Sequence, residues 1–96
     1  MPVPLDLNSA VFQEQWFSLE KDDRVAVLKC CRKVAGMEWN EIFRDKGLRW
    51  ELIQSFTSPE KEQPYSIRMR QQIRAVVRRS GDFLEFLTLH SDHDSA

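Results

Sequence analysis

Five arginines crowd the short stretch from Arg68 to Arg79: Arg68, Arg70, Arg74, Arg78 and Arg79. Arginine carries a permanent charge on a planar fork that grips a phosphate with two hydrogen bonds, whereas a merely solvated surface is served equally well by lysine. The residue type and its clustering therefore point to a phosphate-bearing ligand. The competing reading is an exposed strand face decorated for solubility. A second group lies near the end, where His90, Asp92, His93 and Asp94 stand close together. These side chains are metal-ligand types, but crowded into one short polar segment they read as a solvated tail, and no metal site is expected. Cys30 and Cys31 are adjacent, so a bond between them would need a strained ring; they are expected to be reduced and packed in a helix.

These groups sit in a chain of 96 residues with 42% hydrophobic and 30% charged residues, which fits one soluble globular domain over residues 1–96. No apolar run is long enough to span a bilayer, and the opening lacks the pattern of a secretory leader, so a cytoplasmic protein with no membrane partner is expected. The net charge of −1 argues against coating a polyanion through bulk charge. The charge is unevenly placed, however. Residues 1–48 hold 7 basic and 8 acidic side chains, residues 49–80 hold 7 and 3, and residues 81–96 hold none and 4. The positive excess coincides with the arginine cluster.

The elements that must carry these residues follow from periodicity. Asn8-Ser9 can cap a helix over about 9–20 in which Phe12, Trp16 and Leu19 recur at helical spacing. Asp22 or Asp23 can cap a second helix, where Val25, Leu28, Cys31 and Ala35 form a stripe that Val27, Cys30 and Val34 widen before Gly36 stops it. So broad a stripe predicts burial on two sides. Trp39, Ile42 and Phe43 predict a short third helix over 37–46. The tryptophans Trp16, Trp39 and Trp50 each fall on an apolar period and are expected to pack in the core rather than stack on bases.

From Leu48 the period becomes two, predicting a strand over 48–53, a loop over 54–64, and two further strands in which Tyr65, Ile67 and Met69, then Ile73, Ala75 and Val77, face the core. A two-residue turn at Ser80-Gly81 leads to a last apolar strand and sets Arg79 opposite Asp82 and Val77 opposite Leu84. The fold class is therefore α+β, with N-terminal helices on one face of a C-terminal antiparallel sheet of about four strands. The alternation places Arg68 and Arg70 on one side of their strand, and Arg74 and Arg78 on one side of the next. Four guanidiniums would then converge on the open face, with Arg49 nearby.

The ordered set of helices, Gly47-Leu48-Arg49-Trp50-Glu51-Leu52-Ile53, Tyr65-Ser66-Ile67-Arg68-Met69, Arg74-Ala75-Val76-Val77, a glycine hairpin and a histidine-bearing end resembles the RelE/ParE toxin superfamily, in particular small RelE-like domains ending in a His-Asp pair. The resemblance implies a toxin of a bacterial type II toxin–antitoxin system, with a cognate antitoxin as partner. RelE-type members cut mRNA at the ribosome, whereas ParE-type members poison DNA gyrase. It also implies that Arg68 takes the place of a strand lysine or arginine, that Arg74 matches the arginine opening the next strand, and that His90 and His93 stand where the family supplies C-terminal functional groups. The small N-terminal strand common in the family is not evident here.

Cutting RNA through its own 2′-hydroxyl needs a base, positive charge for the phosphorane and an acid for the leaving oxygen. No cofactor is needed. Arg68 and Arg74 suit the charge, with Arg70, Arg78 and Arg49 as substrate-binding groups. The reference pKa of a histidine side chain, about 6.5, suits proton transfer, so His90 and His93, or else Glu51, take the acid–base roles. Two other functions remain open: a non-catalytic module of the same fold, such as a gyrase inhibitor or antitoxin-binding unit, and an unrelated α+β domain whose arginine face holds an acidic protein.

Overall fold

The computed structural model describes residues 1–53 and 63–91. In chain order these form β1 (Leu5–Asp6), α1 (Ala10–Phe17), α2 (Lys21–Ala35), α3 (Trp39–Arg44), β2 (Glu51–Leu52), β3 (Pro64–Arg70), β4 (Ile73–Ser80) and β5 (Phe83–Ser91). The strands make one sheet in the order β1-β5-β4-β3-β2. All neighbours are antiparallel except β1, which runs parallel to β5. The sheet is thus five-stranded and mixed rather than purely antiparallel. Its extra strand forms because Val3 is buried and its N–H is held by the Met37 carbonyl, while the Pro4 carbonyl accepts from the Leu84 N–H; the opening segment is clamped along β5 from both sides.

Helix α1 begins at Ser9, whose hydroxyl accepts from the Phe12 N–H at 3.2 Å and also donates to the Leu87 carbonyl at 3.1 Å. One side chain therefore caps the helix and ties it to β5. The Gln15 side-chain oxygen accepts from the Leu89 N–H at 2.7 Å. Together these contacts satisfy outward-facing backbone groups of β5 beyond the reach of β1, which blunts an otherwise open sheet edge. Helix α2 starts at Lys21, one residue before the expected caps, so Asp22 and Asp23 lie in its first turn, where a negative charge favours the helix dipole.

The core lies between the helices and one sheet face. Phe12 from α1, Val27, Cys31 and Val34 from α2, and Ile42 from α3 meet Ile67, Ile73, Ala75, Val77, Leu84 and Phe86 from the strands, all buried. The buried residues of α2 follow one i, i+4, i+7 line, whereas Val25 and Leu28 are exposed. The expectation of burial on two sides is corrected: a single helical layer on one sheet face gives α2 only one apolar neighbour. Trp16, Trp39 and Trp50 are partly buried and pack against the core; Trp50 stacks on Tyr65 at 4.5 Å between ring centres.

The strand expected over 48–53 shortens to Glu51–Leu52. Arg49 adopts φ 52°, a left-handed conformation that interrupts the extended chain. Just before it, Asp45 closes the turn after α3, accepting from the Leu48 N–H at 2.9 Å and from the Lys33 ammonium at 3.1 Å. Partial burial opposes its charge, but bonds from Leu48, Lys33 and Gly47 outweigh that and hold the Asp45 carboxyl below its ordinary value of 3.8. A carboxyl depressed by folding stabilises the fold above its unfolded value, and that contribution disappears as pH falls through the folded one. Asp45→Asn is expected to cost about 1–2 kcal/mol at pH 7. In thermal melts the gap to the parent protein should close as pH drops below 3.8; an unchanged gap in acid would assign the loss to packing instead.

The hairpin differs by one residue from the expected register. Ser80 pairs with Phe83 and Arg79 with Leu84, so the loop is Gly81-Asp82. Gly81 takes φ 60° at the first loop position, the place a type II′ turn reserves for glycine. Leu87 is then an extra residue on β5, so that Val77 opposes Phe86 while Val76 opposes Thr88. A second bulge falls at Met69 on β3.

Candidate functional site

On the sheet face away from the helices, the register lines up Arg68 of β3, Arg74 of β4 and His90 of β5 as direct cross-strand neighbours. The next row contains Glu51, Ser66, Val76 and Thr88. Side chains directly opposite one another in antiparallel strands have Cβ atoms about 4.5–5.5 Å apart, so the two guanidiniums of Arg68 and Arg74 leave the sheet side by side. Arg49, Glu51, Ser66, Arg68 and Arg74 enclose a small cleft of about 30 Å³.

The strand arginines divide by what they touch. Arg78 donates to Glu85 at 2.7 Å on the open face. Arg49 stands 3.9 Å from Glu51 with both side chains about half exposed. Arg79 lies on the helix side, its guanidinium 4.3 Å above the Trp39 ring. Arg70 also leaves the open face: the bulge at Met69 places it opposite Ile73, and it donates to Asp23 of α2 at 2.8 Å. The expectation that Arg68 and Arg70 share one side is thereby corrected, because an extra residue reverses the alternation beyond it. Arg68 and Arg74, in contrast, have no carboxylate within ion-pair distance among the described residues. Like charges placed directly opposite each other repel.

His90 is exposed, with Nε2 2.9 Å from the Thr88 hydroxyl. His93 lies outside the described residues, as do Asp92 and Asp94. Among the described residues no three His, Cys, Asp or Glu side chains gather in a way that could hold a metal ion. The cysteines are free, Cys30 half-buried and Cys31 buried. Burial, reinforced by its neighbour Cys30, pushes the Cys31 thiol up to about 12; burial also raises Cys30, helped by Asp45 and opposed by Lys33. Both are protonated at neutral pH and are poor nucleophiles.

Two lining residues were not among the expected binding groups. From the sequence, Glu51 has only the part of an alternative base and Ser66 has no role. The signal for Ser66 was available in the alternation, which puts it on the same side of β3 as Arg68.

No protein-family model matches the chain, and no curated protein sequence matches it. Solved structures do. The chain is similar to RelE in the archaeal RelE-RelB complex from Pyrococcus horikoshii OT3, with TM-score 0.68, 12% identity, and coverage of 98% of this chain and 99% of that one. It is similar to YoeB from Staphylococcus aureus, solved as a dimer, with TM-score 0.56, 15% identity and coverage of 92% and 94%. The copper-bound L66S mutant toxin from Helicobacter pylori gives TM-score 0.55, 16% identity and 97% coverage of both chains. At such identities the likeness concerns the path of the chain, and over nearly its whole length that path is the RelE-like toxin fold.

Proposed function

We propose that this chain is the toxin of a bacterial toxin–antitoxin pair and cuts mRNA at the ribosome through the Arg68–Arg74 face. The observation that carries this reading is the cross-strand pair of arginines without ion-pair partners among the described residues, with His90 next in register. Two permanently charged forks rise side by side from neighbouring strands, which suits them to a phosphorane whose negative charge grows in the transition state. They are poor bases. Proton transfer at the 2′-hydroxyl and the leaving 5′-oxygen falls to His90, to His93, or to Glu51 at the cleft rim. The Pyrococcus horikoshii relative was solved in a complex with RelB, which supports an antitoxin partner for this chain as well. Among the described residues no helix is long and apolar enough to cross a membrane, and the proposed site of action is the cytoplasm.

Removing His90 and His93 together is expected to slow cleavage by about two orders of magnitude while RNA binding stays intact. Unchanged cleavage by that double variant, His90→Ala with His93→Ala, would move the proton-transfer role to Glu51. The reading as a whole is tested by inducing the chain in bacteria: rapid loss of mRNA with intact chromosomal DNA supports it. A non-catalytic module of the same fold is favoured by one observation, the partial neutralisation of the open face by Glu85 and Glu51 in a chain of net charge −1. Growth arrest with DNA damage and intact mRNA would select that alternative, as a gyrase inhibitor.

A further inference from the structure

Ser66 is 8% exposed, the one buried polar residue among those described. Serine is a poor strand former, and a buried hydroxyl costs free energy unless something bonds to it. Among the described residues the Ser66 side chain has no hydrogen-bond partner, yet its oxygen is not sealed off, since no buried side-chain polar atom is left without one. Its remaining access is the cleft it lines with Arg68 and Arg74. Glu51, its direct cross-strand neighbour, makes its own charged contact with Arg49 and leaves the hydroxyl unclaimed. Ser66 lies two residues before Arg68 on the same side of β3, and diagonally from Arg74 on β4. A tetrahedral anion seated between the two forks would therefore stand over this hydroxyl.

We propose that Ser66 is a phosphate-contacting residue whose hydroxyl donates to a non-bridging oxygen of the phosphodiester held by Arg68 and Arg74. The identity of that phosphate as mRNA rests on the endonuclease reading; the anion site does not. The arginines supply charge, and the hydroxyl supplies a third, directional bond that fixes how the phosphate is turned. Because the hydroxyl carries no charge, it adds orientation without adding to the repulsion between the forks.

The test uses inorganic phosphate titrated into the free protein, followed by amide chemical shifts, alongside cleavage of a message on programmed ribosomes. Ser66→Ala should weaken phosphate binding about tenfold and slow cleavage by a similar factor, with an unchanged melting temperature. Ser66→Thr, which keeps the hydroxyl and suits a strand, should restore both to within about threefold. Phosphate binding by Ser66→Ala equal to that of the parent protein would overturn the role, as would a Ser66→Thr variant as weak as the alanine one. If phosphate binding depends on Ser66 but the parent protein leaves mRNA intact, the endonuclease reading falls and the anion site stands.

Discussion

Arg74→Ala is expected to lower mRNA cleavage by about two to three orders of magnitude, the range seen when one preorganised donor to a transition-state anion is removed. The same change should leave the melting temperature unchanged or slightly raised. Arg74 makes no ion pair with any described residue and stands directly opposite Arg68, so its removal breaks no ion pair among them and relieves a repulsion. Loss of activity without loss of stability separates a functional arginine from a structural one. Arg74→Lys should fall between, because lysine keeps the charge but cannot present a two-pronged fork. Arg70→Ala provides the contrast: it removes the bond to Asp23 on the helix side and should leave cleavage within about threefold of the parent, since it takes nothing from the open face. Cleavage that fell equally with Arg70→Ala and Arg74→Ala would indicate bulk charge rather than a built site.

The largest effect on stability is expected at Phe86. Its side chain is fully buried at the centre of β5 and meets the ring of Phe12 at 5.3 Å between centres, joining the sheet to α1. Phe86→Ala removes a whole aromatic ring from a close-packed interior and should cost about 3–5 kcal/mol. Small domains gain only about 5–15 kcal/mol in all, so the variant should melt at least about 12 °C lower, at 4 °C or more for each kcal/mol. Phe83, three residues earlier on the same strand, is 48% exposed, and Phe83→Ala should change stability by about 0.5 kcal/mol or less. Equal losses at both positions in calorimetry would contradict the placement of the core on the helix side of β5.

The comparison of these two phenylalanines shows which parts of the fold are written in local patterns. Phe12, Trp16 and Leu19 mark α1 because a helix repeats its face every three or four residues, and Ile67 against Arg68 marks the two sides of β3 because a strand alternates. The same alternation, continued through Ala75 and Arg74, was enough to bring Arg68 and Arg74 to one face. It failed at Arg70, since a bulge adds a residue without any change in residue type, and everything beyond it changes side. The turn at Gly81 slipped for a related reason: glycine can occupy either loop position, and only pairing with β5 decides between them. β1 carries no periodic signal at two residues in length; it exists through its pairing with Leu84 and Glu85 of β5, and the residues leading into it are held by bonds from Val3 to Met37 and from Leu84 to Pro4, all distant in sequence. The stripe read along α2 starts from Val25 and Leu28, which are exposed, because composition along a helix does not say how many layers surround it.

The charge arithmetic behaved similarly. A chain of net charge −1 can still present two adjacent guanidiniums, because Glu85, Asp23 and Glu51 are spent on Arg78, Arg70 and Arg49. Which strand arginines lack an ion pair among the described residues depends on strand register and on one bulge, neither of which composition records. His90 joined them for the same reason, through the pairing of β4 with β5 that places it opposite Arg74.

The most direct measurement is to map the ends of a message cut in a purified translation reaction by the parent protein and by the Arg68→Ala, Arg74→Ala double variant. Attack by the 2′-hydroxyl on a phosphate held between these two side chains leaves a 2′,3′-cyclic phosphate on the upstream fragment, and a single 2′-deoxynucleotide at the cut position should abolish the cut. The double variant should leave the message whole. A cut that survives the 2′-deoxy substitution, or one that the double variant makes as fast as the parent, would contradict the assignment of this face as the catalytic one.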